Sequence, residues 1–304
     1  MTDNSVKTEY AVALGYFDGL HRAHDTVLSA TLEASRKTGL QPAVLLFDKH
    51  PRTVITGDAV PSLLQKKRRD EMLLARGFRL LFVSFERIKD MSPEQFFSEV
   101  LLGEFRAGAL ACGYNYNFGK RASGNTEILR ELCEKSGVSL TVCPEFTLNG
   151  STVSSTEIRK ALENGEIEAA NEMLGFPFGF TAEVFTGDRR GRLLGAPTIN
   201  QYIPEELIVP KFGVYSSRVH FDGKTYTGVT NIGARPTFGI VSVRSETYIV
   251  GFRGDLYGRE VEIELRGFIR GEKKFPDADT LRAQIEADVK AALKNEEQRI
   301  KNRE

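Results

Sequence analysis

Histidine is scarce in this chain, and three of its four copies fall early, at His21, His24 and His50. His21 and His24 stand three residues apart in Gly15-Tyr-Phe-Asp-Gly-Leu-His-Arg-Ala-His24, between an apolar run and an amphipathic stretch. At the mouth of a helix, whose amino end favours anions, two imidazoles facing one way can hold a polyphosphate and neutralise charge developing on a leaving pyrophosphate. No further cysteine or carboxylate sits at metal-ligand spacing, which favours an anion over zinc. Gly15 and Gly19 permit tight backbone beside Phe17, and Asp18 can either cap the turn or take part in the chemistry.

Two later clusters carry phosphate-binding residue types. Ser154-Ser155-Thr156-Glu157-Ile-Arg159 places hydroxyls at a helix start and a guanidinium about one turn in. The same letters also spell a plain capping box. Gly113-Tyr-Asn115-Tyr-Asn-Phe-Gly119-Lys-Arg is glycine-bounded, aromatic and basic. That suits a nucleotide, or a loop whose rings lie partly in the core.

The second half repeats the theme with different residues. Gly187-Asp-Arg-Arg-Gly191-Arg-Leu-Leu-Gly195-Ala-Pro-Thr198-Ile-Asn200 sets glycines Gly187, Gly191 and Gly195 among arginines, a loop whose N–H groups can line phosphates. It lacks the Lys-Ser/Thr ending of a P-loop. Thr198 and Asn200 share a side of an extended segment, where their oxygens suit a magnesium ion bridged to phosphate. Glu246 alternates with Tyr248 and Val250, a carboxylate beside apolar groups that can take a proton from a substrate hydroxyl. A solvent-facing edge carboxylate and an arginine-rich surface loop are the plain alternatives.

The elements that must position these residues change character along the chain. Tyr10–Leu14, Ala43–Phe47, Leu80–Phe85, Ala109–Cys112 and Leu140–Cys143 read as buried strands. Helices are expected over Asp25–Lys37, from the Ser92-Pro93-Glu94-Gln95 box through Glu99 and Leu102, over Thr126–Ser136, and from Ser154 to Asn164-Gly165. This alternation predicts a parallel sheet with helices on its faces. From Thr181 on, strands are expected at Thr181–Phe185, Val214–Phe221, Lys224–Asn231, Ser245–Phe252 and Glu260–Ile269, with a hairpin turn at Asp222-Gly223. Five or six such strands suggest a small antiparallel barrel. A closing helix from about Asp279 would bury Leu281, Ile285, Val289 and Leu293, its charged end from Lys294 fraying. Two domains are expected, residues 1–176 and 177–304.

Balanced charge, with 41 basic and 41 acidic residues, argues against a bulk electrostatic nucleic-acid binder. No apolar run approaches about 20 residues, so no membrane span is expected. The start lacks a secretion-signal layout, and three cysteines match no zinc or disulfide framework. A cytoplasmic protein with inert thiols is the expectation. Sequence gives no oligomeric state.

Taken together and in order, Gly-x-Phe-Asp-Gly-x-His-x-x-His, Phe47-Asp-x-His50-Pro51, Gly-x-Asn-x-x-Phe-Gly-Lys and Ser-Ser-Thr-x-Ile-Arg resemble the adenylyltransferase half of bacterial bifunctional riboflavin kinase/FAD synthetases. Gly-Arg-x-Leu-Gly-x-Pro-Thr-x-Asn, Phe212-Gly-Val-Tyr215, Asn231-Ile-Gly-x-Arg-Pro-Thr237-Phe, Glu246, Asp255-Leu-Tyr-Gly258 and Ile269-Arg-x-Glu-x-Lys-Phe275 resemble their kinase half. The resemblance implies a Rossmann-like α/β nucleotidyltransferase domain, then a six-stranded antiparallel β-barrel kinase domain with a C-terminal helix. It implies riboflavin, FMN and ATP as substrates, FMN and FAD as products, and Mg2+ as the metal. On it, His21 and His24 meet ATP phosphates in the first half, with Gly15, Phe17, Asn115, Ser154, Ser155, Thr156 and Arg159 around the nucleotide. Thr198 and Asn200 hold magnesium and phosphate in the second half, and Glu246 is the base for the ribityl 5′-hydroxyl. The family usually has glycine where Ala23 stands and proline where Lys49 stands. A riboflavin kinase with a weakened or inactive adenylyltransferase half, and a flavin-binding regulator with neither activity, are the alternative readings.

Overall fold

The computed structural model describes residues 9–187, 197–237 and 240–301. They fold as two compact units: residues up to Val60 with Lys66–Ser154, and Pro61–Gln65 with Ser155 onward.

The first unit is built on a five-stranded sheet in the order β3-β2-β1-β4-β5. Its strands are β1 (Tyr10–Leu14), β2 (Gln41–Phe47), β3 (Arg79–Val83), β4 (Ala107–Gly113) and β5 (Ser139–Cys143), and every pairing is parallel. Near-continuous Ala, Val and Leu suit strands covered on both faces. Helices α1 (Arg22–Thr38), α2 (Pro51–Thr56), α3 (Lys66–Ala75), α4 (Phe85–Ile88) and α6 (Thr126–Ser136) join them. Helix α5 opens at Pro93–Gln95 under the expected Ser92 box and continues as π turns over Phe96–Glu104. The chain order reverses between β1 and β4. In an open α/β sheet that reversal leaves a crevice at the strands' carboxyl ends, the usual ligand position. Leu14 pairs there with Cys112, so the loops after Leu14 and Gly113 emerge side by side.

The second unit is a six-stranded antiparallel sheet, β8-β13-β10-β11-β12-β9. Its strands are β8 (Gly179–Glu183), β9 (Thr198–Tyr202), β10 (Gly213–Phe221), β11 (Lys224–Thr237), β12 (Ile240–Ile249) and β13 (Glu260–Arg270). The short pair β6 (Thr147–Leu148) and β7 (Ser151–Thr152) belongs to the first unit. The outer strands of the six meet where Phe185 N donates to Asn200 O at 2.9 Å, and Gln201 Nε2 donates to Ala182 O at 2.6 Å. The sheet thereby curls into the expected barrel, with Tyr215, Val219, Ile232, Val261, Ile263 and Leu265 buried. The β10–β11 turn falls on Asp222-Gly223, both at positive φ, 50° and 68°.

Helices α7 (Ser155–Asn164) and α8 (Ile167–Leu174) group with the barrel, so the compact units part earlier than the expected position 176. Asn171 on α8 explains part of this: its amide donates to Leu265 O at 2.9 Å and accepts from Phe178 N at 2.6 Å. An early segment joins the same unit, Gln65 exchanging hydrogen bonds with Thr181 at 2.9 and 2.7 Å.

Closing helix α9 (Ala278–Lys301) differs from expectation in two ways. Its buried face runs through Asp288 and Ala292, while Leu293 is 40% exposed. Among the described residues its charged end stays helical through Lys301 and makes specific contacts. Glu296 pairs with Arg218, Arg299 donates to Arg266 O, and Asn295 Nδ2 donates to Ser216 Oγ at 3.4 Å.

Candidate active sites

In the first unit, the chain leaves β1 at Leu14 and turns sharply, with Leu20 buried at φ 43°, before α1 begins. A Cβ on Gly15 would stand 3.2 Å from Phe17 Cζ, so that glycine admits the ring. Phe17 is buried and packs on His24 at 5.0 Å between centroids. The ring therefore backs His24 from the inside. His21 caps α1: its Nδ1 accepts from His24 N at 3.3 Å, which leaves its ring proton on Nε2. The two imidazoles stack at 3.7 Å with 14° between planes.

Stacking so close disfavours two positive charges. Burial pulls the His24 pKa down to about 3. The Nδ1 of His24 is buried without a hydrogen-bond partner, although the ring as a whole is only half-buried. His24 is therefore a neutral imidazole at pH 7. Ala23 lies in the first turn of α1, its carbonyl accepting from Thr26 Oγ1 at 2.8 Å.

The neighbouring strand ends add polar and aromatic groups. His50 caps α2, its Nδ1 accepting from Arg52 N at 3.0 Å, and its ring meets Tyr16 edge-on at 4.2 Å. After β4, Asn115 is exposed, and its Oδ1 would lie 3.4 Å from a Cβ on Gly113. The rings of this loop divide. Tyr116 and Phe118 stack at 5.7 Å against the core, while Tyr114 is exposed and donates to Glu145 Oε1 at 3.0 Å. Ser154 ends the first unit, whereas Ser155, Thr156 and Arg159 belong to the second, where Arg159 Nε donates to Pro61 O at 2.9 Å.

In the barrel unit, register assembles the second site. Asn200 pairs with Glu246, and Thr198 with Tyr248, so all four side chains share one face. Asn231 lies directly across from Glu246 on the other side, giving a polar row Asn200–Glu246–Asn231 over three strands. A Cβ on Gly187 would stand 2.5 Å from Asn200 Cγ, so the loop backbone rests against that amide. Gly191 and Gly195 lie outside the described residues. A cavity of about 330 Å³ opens beside Thr198, lined also by Val184, Ile249, Phe252 and Tyr257. Asn231 as the third member of the row was not readable from local sequence, since only cross-strand register reveals it.

Hard oxygen donors at Thr198 and Asn200 fit a magnesium ion that draws its remaining ligands from phosphate and water. Among the described residues no group of three or more His, Cys, Asp or Glu could hold a metal by itself. The three cysteines are buried and unbridged, and burial pushes the Cys112 thiol up to about 12 and that of Cys133 to about 11. None is a nucleophile at neutral pH. No described helix is long and apolar enough to cross a membrane.

Comparisons with known proteins divide along the same line. Residues 3–157 match the FAD synthetase family and residues 174–295 the riboflavin kinase family. A bifunctional riboflavin kinase/FMN adenylyltransferase of Listeria monocytogenes is 33% identical over 292 residues, 94% of this chain and 92% of its own. Those of Bacillus subtilis and Escherichia coli K12 are each 34% identical, covering 95% and 91% of this chain and 94% and 90% of their own. A crystal structure described as a macrolide-efflux protein from Streptococcus pneumoniae superposes with a TM-score of 0.86 at 27% identity, over 94% of each chain. The chain belongs to the family of bifunctional riboflavin kinases/FMN adenylyltransferases.

Proposed function

We propose that this protein converts riboflavin to FMN in its barrel unit and FMN to FAD in its parallel-sheet unit, using ATP twice. The observation that carries the first step is the register of Glu246 between Asn200 and Asn231. Glu246 takes the proton of the ribityl 5′-hydroxyl as that oxygen attacks the γ-phosphorus of ATP, and ADP leaves. Thr198 and Asn200 would hold Mg2+, which would supply positive charge against the phosphates. Gly187 would bring its backbone to the same phosphates, and Gly191 and Gly195, outside the described residues, are expected to join it.

In the other unit, the FMN phosphate attacks the α-phosphorus of ATP and pyrophosphate departs. No covalent enzyme intermediate is needed, because position and charge suffice. His21 and His24 donate to the departing phosphates at the amino end of α1, and Asn115 follows β4, the strand that neighbours β1. Ser154, the last residue of this unit, adds a hydroxyl. The domains of this reading remain 1–176 and 177–304. Three unbridged cysteines fit a reducing cytoplasm.

Incubation with riboflavin, ATP and Mg2+, followed by identification of the flavins, tests both steps. FAD is expected. Glu246→Gln should stop FMN formation, by at least about 10²-fold, while supplied FMN is still converted to FAD. Equal loss of both conversions would sink the assignment of separate sites.

A further inference from the structure

The polar row of the barrel does not end at Asn231. Asn231 pairs with Val214 on β10, and Val214 pairs with Arg270, the last residue of β13. Arg270, Val214, Asn231, Glu246 and Asn200 therefore follow one another across five strands. At a strand spacing of about 4.8 Å, Arg270 lies roughly 14 Å from Glu246.

Arg270 does not point into the row's polar centre. Its guanidinium grips Asp288 of α9, with Nη2 to Oδ2 at 2.8 Å and Nε to Oδ1 and Oδ2 at 3.1 and 3.2 Å. Asp288 is 2% exposed and accepts also from Gln284 Nε2 at 2.9 Å. The same guanidinium holds both ends of the segment that follows β13. Its Nη1 donates to Gly271 O at 3.0 Å, and its Cζ lies 5.7 Å from the centre of the Phe275 ring. Between these two ties, Glu272 reaches back over β11. Its Oε1 lies 2.3 Å from where a Cβ on Gly233 would be, so the exposed carboxylate rests against that glycine and a side chain there would push it away. Gly233 is two residues from Asn231 on the same strand face, so the Glu272 carboxylate comes down beside the Asn231–Glu246 pair.

We propose that Glu272 is a second substrate-facing carboxylate of the kinase site, and that Asp288 is its positioning residue, acting through Arg270. Riboflavin carries a polyol chain with several hydroxyl donors. Glu246 has its proton to take from the terminal hydroxyl, and Glu272 accepts from another hydroxyl of the same chain and fixes the terminal one for attack. The buried Arg270–Asp288 pair sets the segment rigidly enough for that contact. This assignment rests on the kinase reading above.

The test uses the full chain and initial rates of FMN formation, varying riboflavin and ATP separately. Glu272→Gln should lower kcat/KM for riboflavin about tenfold and leave KM for ATP within about twofold. Asp288→Asn should do the same, with conversion of FMN to FAD unchanged. The double variant should be no slower than the slower single one, because both act on one contact. A merely structural Asp288 would give losses that multiply, and that result overturns the positioning role. An unchanged kcat/KM in Glu272→Gln overturns the whole inference. Should Asp288→Asn fail to fold, Gly233→Ala displaces the same carboxylate. It should match Glu272→Gln and add nothing to it, and a silent Gly233→Ala would equally count against the contact. If the unaltered protein makes no FMN, the kinase reading fails and takes this inference with it. Normal FMN formation with silent variants leaves the kinase reading standing and removes only the inference.

Discussion

Two single residues carry consequences that can be measured directly. Burial lowers the His24 pKa from 6.5 to about 3. The unfolded chain takes up a proton near 6.5, while the folded chain does so only near 3. Below pH 6.5 the unfolded state therefore binds more protons, and stability falls as pH drops through that window. Above pH 6.5 the group contributes no pH dependence. His24→Gln should flatten this acid-side loss when midpoints of urea unfolding are compared between pH 7 and pH 4. An equal loss in both proteins would show that His24 is not held neutral. Gly187 makes the other prediction. With a Cβ 2.5 Å from Asn200 Cγ, Gly187→Ala must push the amide aside or lift the loop. Overpacking of that kind costs about 1–3 kcal/mol. FMN formation should fall at least about tenfold, with KM for Mg2+-ATP raised more than KM for riboflavin. Wild-type kinetics in that variant would mean the loop yields freely.

Among the elements, the charged end of α9 most exceeds what sequence promised. Arg218 and Arg266 lie on adjacent strands with three-quarters or more of each side chain buried, and Glu296 answers one while Glu264 lies 3.7 Å from the other. The Arg266 guanidinium is already driven toward losing its proton, by burial first and then by Arg218 and Arg299. Glu296→Ala should therefore destabilise the barrel unit by about 2 kcal/mol, read from urea unfolding followed at a barrel probe. A change under about 0.5 kcal/mol would return this tail to the solvated face that its composition suggests. The reason for the misreading is physical. A run such as Lys294-Asn-Glu-Glu-Gln-Arg-Ile looks solvated because its partners, Arg218 and the Arg266 carbonyl, lie far away in sequence. Helix α1, the Ser92 box, α6 with its Gly137 cap and the Asp222-Gly223 turn were legible because each is decided within a few residues. Helix α3 escaped notice because Lys66-Lys-Arg-Arg-Asp-Glu carries little apolar periodicity, burying only Arg69 and Leu73. The π turns of Phe96–Glu104 likewise leave no periodic signal distinct from an α-helix. At the sites, the residue types at His21, His24, Thr198, Asn200 and Glu246 could be read. The support under them could not, since Phe17 against His24 and Asn231 against Glu246 are set by packing and register.

The whole molecule joins two reactions in which the product of one is the substrate of the other. On the proposed reading each unit carries its own reacting groups: the imidazole pair and Asn115 in one, the Asn200–Glu246–Asn231 row in the other. Neither set needs the other for proton transfer or charge. Separate chains should therefore complement one another. Glu246→Gln protein retains the imidazole pair, and His24→Ala protein retains the barrel row. Either alone, given riboflavin, ATP and Mg2+, should form no FAD: the first stops at riboflavin and the second at FMN. Mixed, they should form FAD after a lag, because FMN must leave one molecule and reach another. The lag should shorten as protein concentration rises, and added FMN should abolish it. Absence of FAD from the mixture, with each variant active in its own half-reaction, would mean that FMN does not escape. The two sites would then have to act within one molecule.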